Sequence, residues 1–182
     1  MKTLLKNITS FSSAIKVTLM VTVALAPFSA AASSVKEKSY NQLQAELLLN
    51  FIERVEWPEE QVPQKNICIM EDNPVIPYFK ILLQNNKQNI VIVRKNENDY
   101  LEDCSVLFVN EYYDGYIDRL LSKVIGKPIL TFSNIKNFAK KGGIAQFTLR
   151  NNRVDFILNI RQLKASQLQI SQEILSISDT IN

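Results

Sequence analysis

The sequence predicts an α/β domain: a single mixed sheet with a parallel βαβ core and a C-terminal antiparallel hairpin, with helices on both faces. Three observations carry that reading. Short apolar runs alternate with helix-period segments between residues 66 and 140, the order that builds parallel strands joined by crossovers. The runs are continuous rather than alternating, as expected of strands covered on both sides. From Ala145 onward the period changes to two, the pattern of a half-buried antiparallel pair.

Leu43, Leu47, Phe51 and Val55 recur every four residues, widened by Ala45, Leu48 and Ile52, so residues 39–56 read as an amphipathic helix. Trp57-Pro58 ends it, because a residue before proline avoids the helical region. Glu59-Glu60 and Pro63 then make a loop. Residues 66–70 (NICIM), 89–93 (NIVIV), 104–109 (CSVLFV) and 128–132 (PILTF) read as buried strands. Between them, Val75, Tyr78, Phe79 and Leu82 mark a helix over 74–84. Ile117, Leu120, Leu121 and Val124 mark another over 113–125, and residues 135–140 a short one. Ala145, Phe147 and Leu149, then Val154, Phe156, Leu158 and Ile160, form the hairpin, with Asn151-Asn152 as a two-residue turn. Ile170, Ile174, Ile177 and Ile181, flanked by Leu168 and Leu175, predict a final helix from Ala165 to about Asp179.

The first 32 residues read as an export signal. Lys2, Lys6 and Lys16 give a basic, acid-free start; residues 17–26 form a short apolar core; Ser29-Ala30-Ala31-Ala32 offers small residues for cleavage. An uncleaved anchor is the competing reading, but a span needs roughly 20 apolar residues. The domain expected to remain is 33–182, in the periplasm. Removing three lysines from the 21 basic residues leaves 18, equal to the 18 acids, so the net charge of +3 belongs to the signal. That balance argues against a nucleic-acid partner, which needs a basic surplus on one face.

The chain has no histidine, which removes His triads, His metal sites and His proton shuttles. No G-x-S-x-G elbow occurs. An enzyme, a bound cofactor and a metal site are therefore not expected. The two cysteines, Cys68 and Cys104, form an even pair in an exported chain and read as a disulfide, either structural or redox-sensing.

Several stretches are candidates for contact with a ligand or partner. Ligands of open α/β sheets bind beyond the carboxyl ends of strands. Glu71 and Asp72 after the first strand, and Ser133 and Asn134 after the fourth, would rim such a site; the alternative is a polar loop whose Asn or Asp caps the next helix. Tyr112, Tyr113 and Tyr116 suit a protein contact or ordinary amphipathic cover. Trp57 reads as a core anchor or an interface hot spot. Gly142-Gly143, preceded by Lys140-Lys141, raises the question of a phosphate cradle. The pair precedes a strand, lacks the Walker spacing and follows a short helix, so a glycine C-cap with lysines in the last turn fits better.

Phe51…Val55-Glu56-Trp57-Pro58, Cys68, Cys104-Ser105-Val106-Leu107-Phe108, Phe138-Ala139…Gly142-Gly143…Phe147, Asn152-Arg153-Val154…Phe156…Asn159-Ile160 and Leu168…Ile170-Ser171…Ile174-Leu175 occur in that order. The ordered set resembles the YfiR family of periplasmic proteins over roughly residues 40–180. The resemblance implies regulation without catalysis. The family's namesake binds the periplasmic sensor domain of an inner-membrane diguanylate cyclase and holds it inactive, which keeps cyclic di-GMP low and restrains biofilm output. An outer-membrane, peptidoglycan-binding lipoprotein can sequester it. The resemblance also implies a homodimer, maps one family disulfide onto Cys68 and Cys104, and adds Gly142, Gly143, Arg153 and Asn159 to the candidate surface. A second family cysteine pair has no counterpart here, and Asp155 stands where a basic or neutral residue is expected. The second functional expectation is a periplasmic small-ligand sensor acting on another membrane receptor or kinase.

Overall fold

Ser39 sets where the first described helix begins. Its hydroxyl accepts a hydrogen bond from the Gln42 N–H at 3.2 Å, an N-cap that satisfies one of the first-turn donors. The structure, a computed structural model, describes residues 38–58, 64–71, 73–84, 89–150 and 153–182, without the side chains of Arg150 and Arg153. The expected signal, the Glu59–Pro63 loop, Asp72 and the Asn151-Asn152 turn lie outside the described residues.

In chain order the first elements are α1 (Tyr40–Ile52), β1 (Val55–Glu56), β2 (Lys65–Met70), α2 (Ile76–Gln84), β3 (Ile90–Lys95) and β4 (Val106–Val109). A 3-10 turn (Glu111–Tyr116) leads into α3 (Ile117–Val124), followed by β5 (Leu130–Ser133), β6 (Ala145–Arg150) and β7 (Arg153–Asn159). The chain ends with α4 (Ile160–Ala165), β8 (Gln169–Ile170), α5 (Gln172–Ser176) and β9 (Ser178–Ile181). Seven strands form one sheet in the order β3-β2-β4-β5-β6-β7-β9. The first five are parallel, β6 and β7 make the expected antiparallel hairpin, and β9 lies parallel to β7. The mixed α/β fold is as the sequence predicts.

The continuous apolar runs of β2, β4 and β5 are buried on both faces. Ile67, Ile69, Val106, Phe108, Leu130 and Phe132 point to the side covered by α1 and α2. There Phe51 of α1 packs on Phe132 and Phe156, with ring centroids 5.1 and 5.4 Å apart, and Phe132 stacks on Phe147 at 4.8 Å. Cys68, Met70, Leu107 and Val109 point to the other side, with Ile117, Leu120, Leu121 and Val124 of α3.

Three expectations need correcting. α1 stops at Ile52 rather than residue 56: Val55-Glu56 instead pair as β1 with β8, which buries Val55 opposite Ile170. Residues 135–141 turn without forming a regular helix. The single C-terminal helix does not exist. Gln167 takes φ +57° after α4, and the chain breaks into β8, α5 and β9. Serines account for the breaks, because their hydroxyls bond nearby backbone in place of helix continuation. Ser166 donates to Gln162 O at 2.8 Å, Ser176 to Glu173 O at 2.8 Å and Ser178 to Ile174 O at 2.6 Å. The supposed isoleucine stripe scatters: Ile170 and Ile174 are buried while Ile177 is exposed. The tertiary pairing of β9 with β7 then claims the tail as a sheet edge.

The glycine pair closes the 135–141 turn. Gly142 has φ +104°; its N–H donates to Ala139 O at 3.2 Å, and the Gly143 N–H to Phe138 O at 3.0 Å. These are the two bonds of a Schellman cap. Gly143 is needed for a different reason. A Cβ there would stand 2.1 Å from the ring of Phe138, which is fully buried.

β3 and β4 lie on either side of β2, so the connection over residues 96–105 must pass across β2, and it does so without a helix. The Cys68–Cys104 disulfide fastens it there, with a Cα–Cα distance of 5.7 Å and both residues buried.

Two predictions follow from this packing. Gly143→Ala should lower stability by about 1–3 kcal/mol or more through overpacking, and Phe138→Leu in the same chain should recover part of the loss; denaturant melts measure both. Cys68→Ser, Cys104→Ser and the double variant should each lose about 4 kcal/mol, the loop-entropy value for this bridge less any native strain. Single variants that melt like wild type would refute a structural role for the bridge.

Candidate functional site

The direction of chain winding reverses between β2 and β4. From β2 the chain crosses through α2 to β3 on one side; from β4 it crosses through α3 to β5 on the other. In such sheets the loops leaving the two central strands part and open a crevice at the carboxyl ends. Continuing the registers Ile69↔Phe108 and Val109↔Ser133 past the strand ends sets Asn110 beside Asn134. Tyr113 spans the crevice, its hydroxyl donating to the Glu71 carbonyl at 3.0 Å. Asn134 Nδ2 donates to Tyr40 Oη at 3.2 Å and to the Glu111 carboxylate, so the start of α1 joins the same rim. Asn73 caps α2 by accepting the Val75 N–H at 3.0 Å.

Three polar atoms at this edge are buried without partners: Asn73 Nδ2, Asn110 Oδ1 and Asn134 Oδ1. Above them stand exposed aromatic rings. Tyr112 is 72% exposed and Tyr40 and Tyr116 are each 44% exposed, with Tyr113 and Tyr116 in ring contact at 6.0 Å. The rim thus combines tyrosines, carboxylates and unfilled amide groups.

Of the residues singled out from the sequence, Glu71, Tyr112, Tyr113, Tyr116 and Asn134 meet here. Ser133 belongs to the same strand end but is fully buried, its hydroxyl accepting the Ile135 N–H at 3.0 Å. Trp57 is elsewhere, half-buried beside the first residue of β2, with Lys65 Nζ 4.8 Å from its ring centroid. Its indole N–H is buried without a partner. Asn159 is not a surface residue either: it is 7% exposed, caps α4 by accepting the Gln162 N–H at 3.0 Å, and donates to Ala139 O at 2.8 Å. Gly143 is buried and Gly142 lines a small cleft with Val124, Thr131 and Ser166, so the pair shapes the fold. Neither Asp72 nor the Arg153 side chain is described. Tyr40, Asn73, Asn110 and Glu111 were missed as individual contributors. The signal for the two asparagines was available, since a polar residue follows each central parallel strand; nothing local ties Tyr40 to a strand end distant in sequence.

Among the described residues, the cluster with potential metal ligands is Cys68, Asp103 and Cys104, and the bridge occupies both sulfurs. No described helix is long and apolar enough to cross a membrane.

The fold is a doubly covered α/β sheet with an aromatic, polar rim at its strand ends. The YfiR/HmsC-like family profile matches residues 41–179. The chain belongs to the YfiR/HmsC-like family, a family of periplasmic proteins. A crystal structure of a conserved domain protein from Vibrio cholerae O1 biovar El Tor is similar in fold, with a TM-score of 0.58 at 11% identity. The match covers 80% of this chain and 61% of that one. No curated protein matches.

If Asn159 is structural, Asn159→Ala should lower stability by about 2 kcal/mol, through a lost cap and a lost buried hydrogen bond. Amide exchange should speed up across residues 135–144, while partner binding per folded molecule stays unchanged.

Proposed function

We propose that this chain is a periplasmic negative regulator that binds the periplasmic sensor domain of an inner-membrane diguanylate cyclase and lowers cyclic di-GMP. The observation that carries the reading is the family match across residues 41–179. In this reading residues 1–32 are removed on export and 33–182 form the working domain. The regulator binds the cyclase's inactive conformation, and its differential affinity for the two conformations sets the population shift.

The tyrosine rim is the surface we assign to that contact. Tyrosine contributes large area and a polar tip at low entropic cost, which suits interface centres. Tyr112, Tyr116 and Tyr40 are exposed around a rigid sheet edge. Homodimerisation and sequestration by a peptidoglycan-binding, outer-membrane lipoprotein rest on the family relationship and complete the proposed circuit.

Deleting the gene in a strain that expresses the partner cyclase should raise cyclic di-GMP. Complementation with Tyr112→Ala/Tyr116→Ala should leave it raised, by loss of roughly 2 kcal/mol or more of binding, although the double variant folds and melts like wild type. Full repression by that variant would remove the rim from the mechanism, and no rise on deletion would remove the cyclase reading itself.

A further inference from the structure

The unpartnered asparagines are the strongest unassigned feature of the molecule. Buried polar groups are nearly always paired, and each exception calls for a physical account. Asn73 is 4% exposed and Asn110 is 3% exposed, yet each keeps an unpaired atom at the crevice between β2 and β4. Amide orientation is fixed at two of the three positions. Asn73 Oδ1 is committed to the Val75 N–H, so its free end is the NH2 donor. Asn134 Nδ2 is committed to Glu111 and Tyr40, so its free end is the carbonyl acceptor. Neighbouring parallel strands lie about 4.8 Å apart, which sets Asn110 Oδ1 and Asn134 Oδ1 within reach of one small group.

We propose that the crevice at the β2/β4 switch point binds a small organic amine through Asn110 Oδ1 and Asn134 Oδ1, with Asn73 Nδ2 donating to a neighbouring oxygen of the same molecule. The pattern of free acceptors selects the amine. Glu71 and Glu111 stand at the strand ends; Lys141 is paired with Asp114 at 2.8 Å, and Lys136, two residues beyond Asn134, is exposed. Two acceptors beside a carboxylate favour an ammonium group, and the lone donor favours a hydroxyl or carbonyl oxygen close to it. An anion would meet exposed Lys136, two residues past Asn134, but the Asn110 and Asn134 oxygens and the Glu111 carboxylate oppose it. Tyr113, bridging the crevice to Glu71 O, couples occupancy to the tyrosine rim. The inference does not depend on which membrane protein the chain regulates.

Ethanolamine, an ammonium with a nearby hydroxyl, is the probe; ethylene glycol and acetate are the controls. Titration into the 15N-labelled protein should give saturable shifts of the Asn73, Asn110 and Asn134 side-chain amides with ethanolamine and none with acetate. Ethylene glycol should bind about tenfold more weakly or not at all, for want of the charge-assisted hydrogen bonds. Asn134→Leu and Asn110→Leu should each weaken ethanolamine binding by about tenfold. Asn110→Leu should also raise Tm in the absence of amine, since it removes an unpaired polar group. Asn110→Asp, nearly isosteric, should tighten ethanolamine binding and keeps the test decisive if the leucine variant fails to fold. Absence of saturable binding, equal binding of ethylene glycol, or weakening by Asn110→Asp would overturn the proposal. So would a lower Tm for folded Asn110→Leu, which would assign the site to a structural water. Failure of any of these leaves the cyclic di-GMP measurement on the tyrosine variants untouched, so the two readings fall separately.

Discussion

The constraint on which the architecture rests is the passage of residues 96–105 across β2. A parallel crossover is normally covered by a helix that brings its own apolar face. Here the connection has none, and a few contacts replace it. Leu101 is buried against the sheet, and Cys104 is bonded to Cys68 in β2. Asp103 receives both Lys95 from the end of β3 and, through its carbonyl, Asn66 from β2. The bridge ties the connection to the strand it crosses and so supports the order β3-β2-β4. That order creates the switch point, and the switch point is what parts the loops around Asn73 and Asn110. In a family of periplasmic proteins, where disulfides persist, a covalent tie is an available substitute for a missing helix.

The second unsupported connection, from β5 to β6, is held by polar groups instead. Residues 135–144 fold back over the sheet, and side chains from three strands take up their backbone. Gln146 Oε1 accepts the Ala139 N–H at 3.3 Å, Asn159 donates to Ala139 O at 2.8 Å, and Thr131 Oγ1 accepts the Ile144 N–H at 2.7 Å. All three side chains are buried, and each of these polar contacts is satisfied. With the glycine cap and the close approach of Gly143 to Phe138, this is a rigid assembly. It explains why a glycine pair beside two lysines has no anion to bind: its donors are spent on Phe138 O and Ala139 O.

The parallel core was legible because each strand is apolar on both faces and each helix carries its own period. What was not legible depends on partners distant in sequence. Val55-Glu56 continue a helical pattern, but β8 pulls them into a strand. Ile170, Ile174, Ile177 and Ile181 satisfy helical spacing, and only the serine bonds and the pairing with β7 reveal that the segment is broken. Spacing records which residues could share a face; it does not record competing hydrogen-bond partners. The site shows the same limit. The residues just past strand ends follow from topology, and so Glu71, Tyr113 and Asn134 could be anticipated. Tyr40 enters the rim only because α1 begins where β5 ends.

The rim gathers three of the four buried, unpartnered side-chain polar atoms among the described residues, the fourth being the Trp57 indole nitrogen. Elsewhere buried polar side chains such as Ser133, Gln146, Asn159 and Ser166 are satisfied by nearby backbone. At the strand ends Asn73, Asn110 and Asn134 are not, at a cost of about 1–3 kcal/mol for each unpaired group. A domain with two apolar clusters and a covalent crossover can sustain that cost, and local departures from satisfied burial concentrate where a surface acts. Tyr113 is the link between that unsatisfied interior and the exposed rings, since it touches the carbonyl of Glu71 at one end and lies tilted against Tyr116 at the other. A change in what fills the crevice therefore has a short mechanical route to the surface that a partner would read.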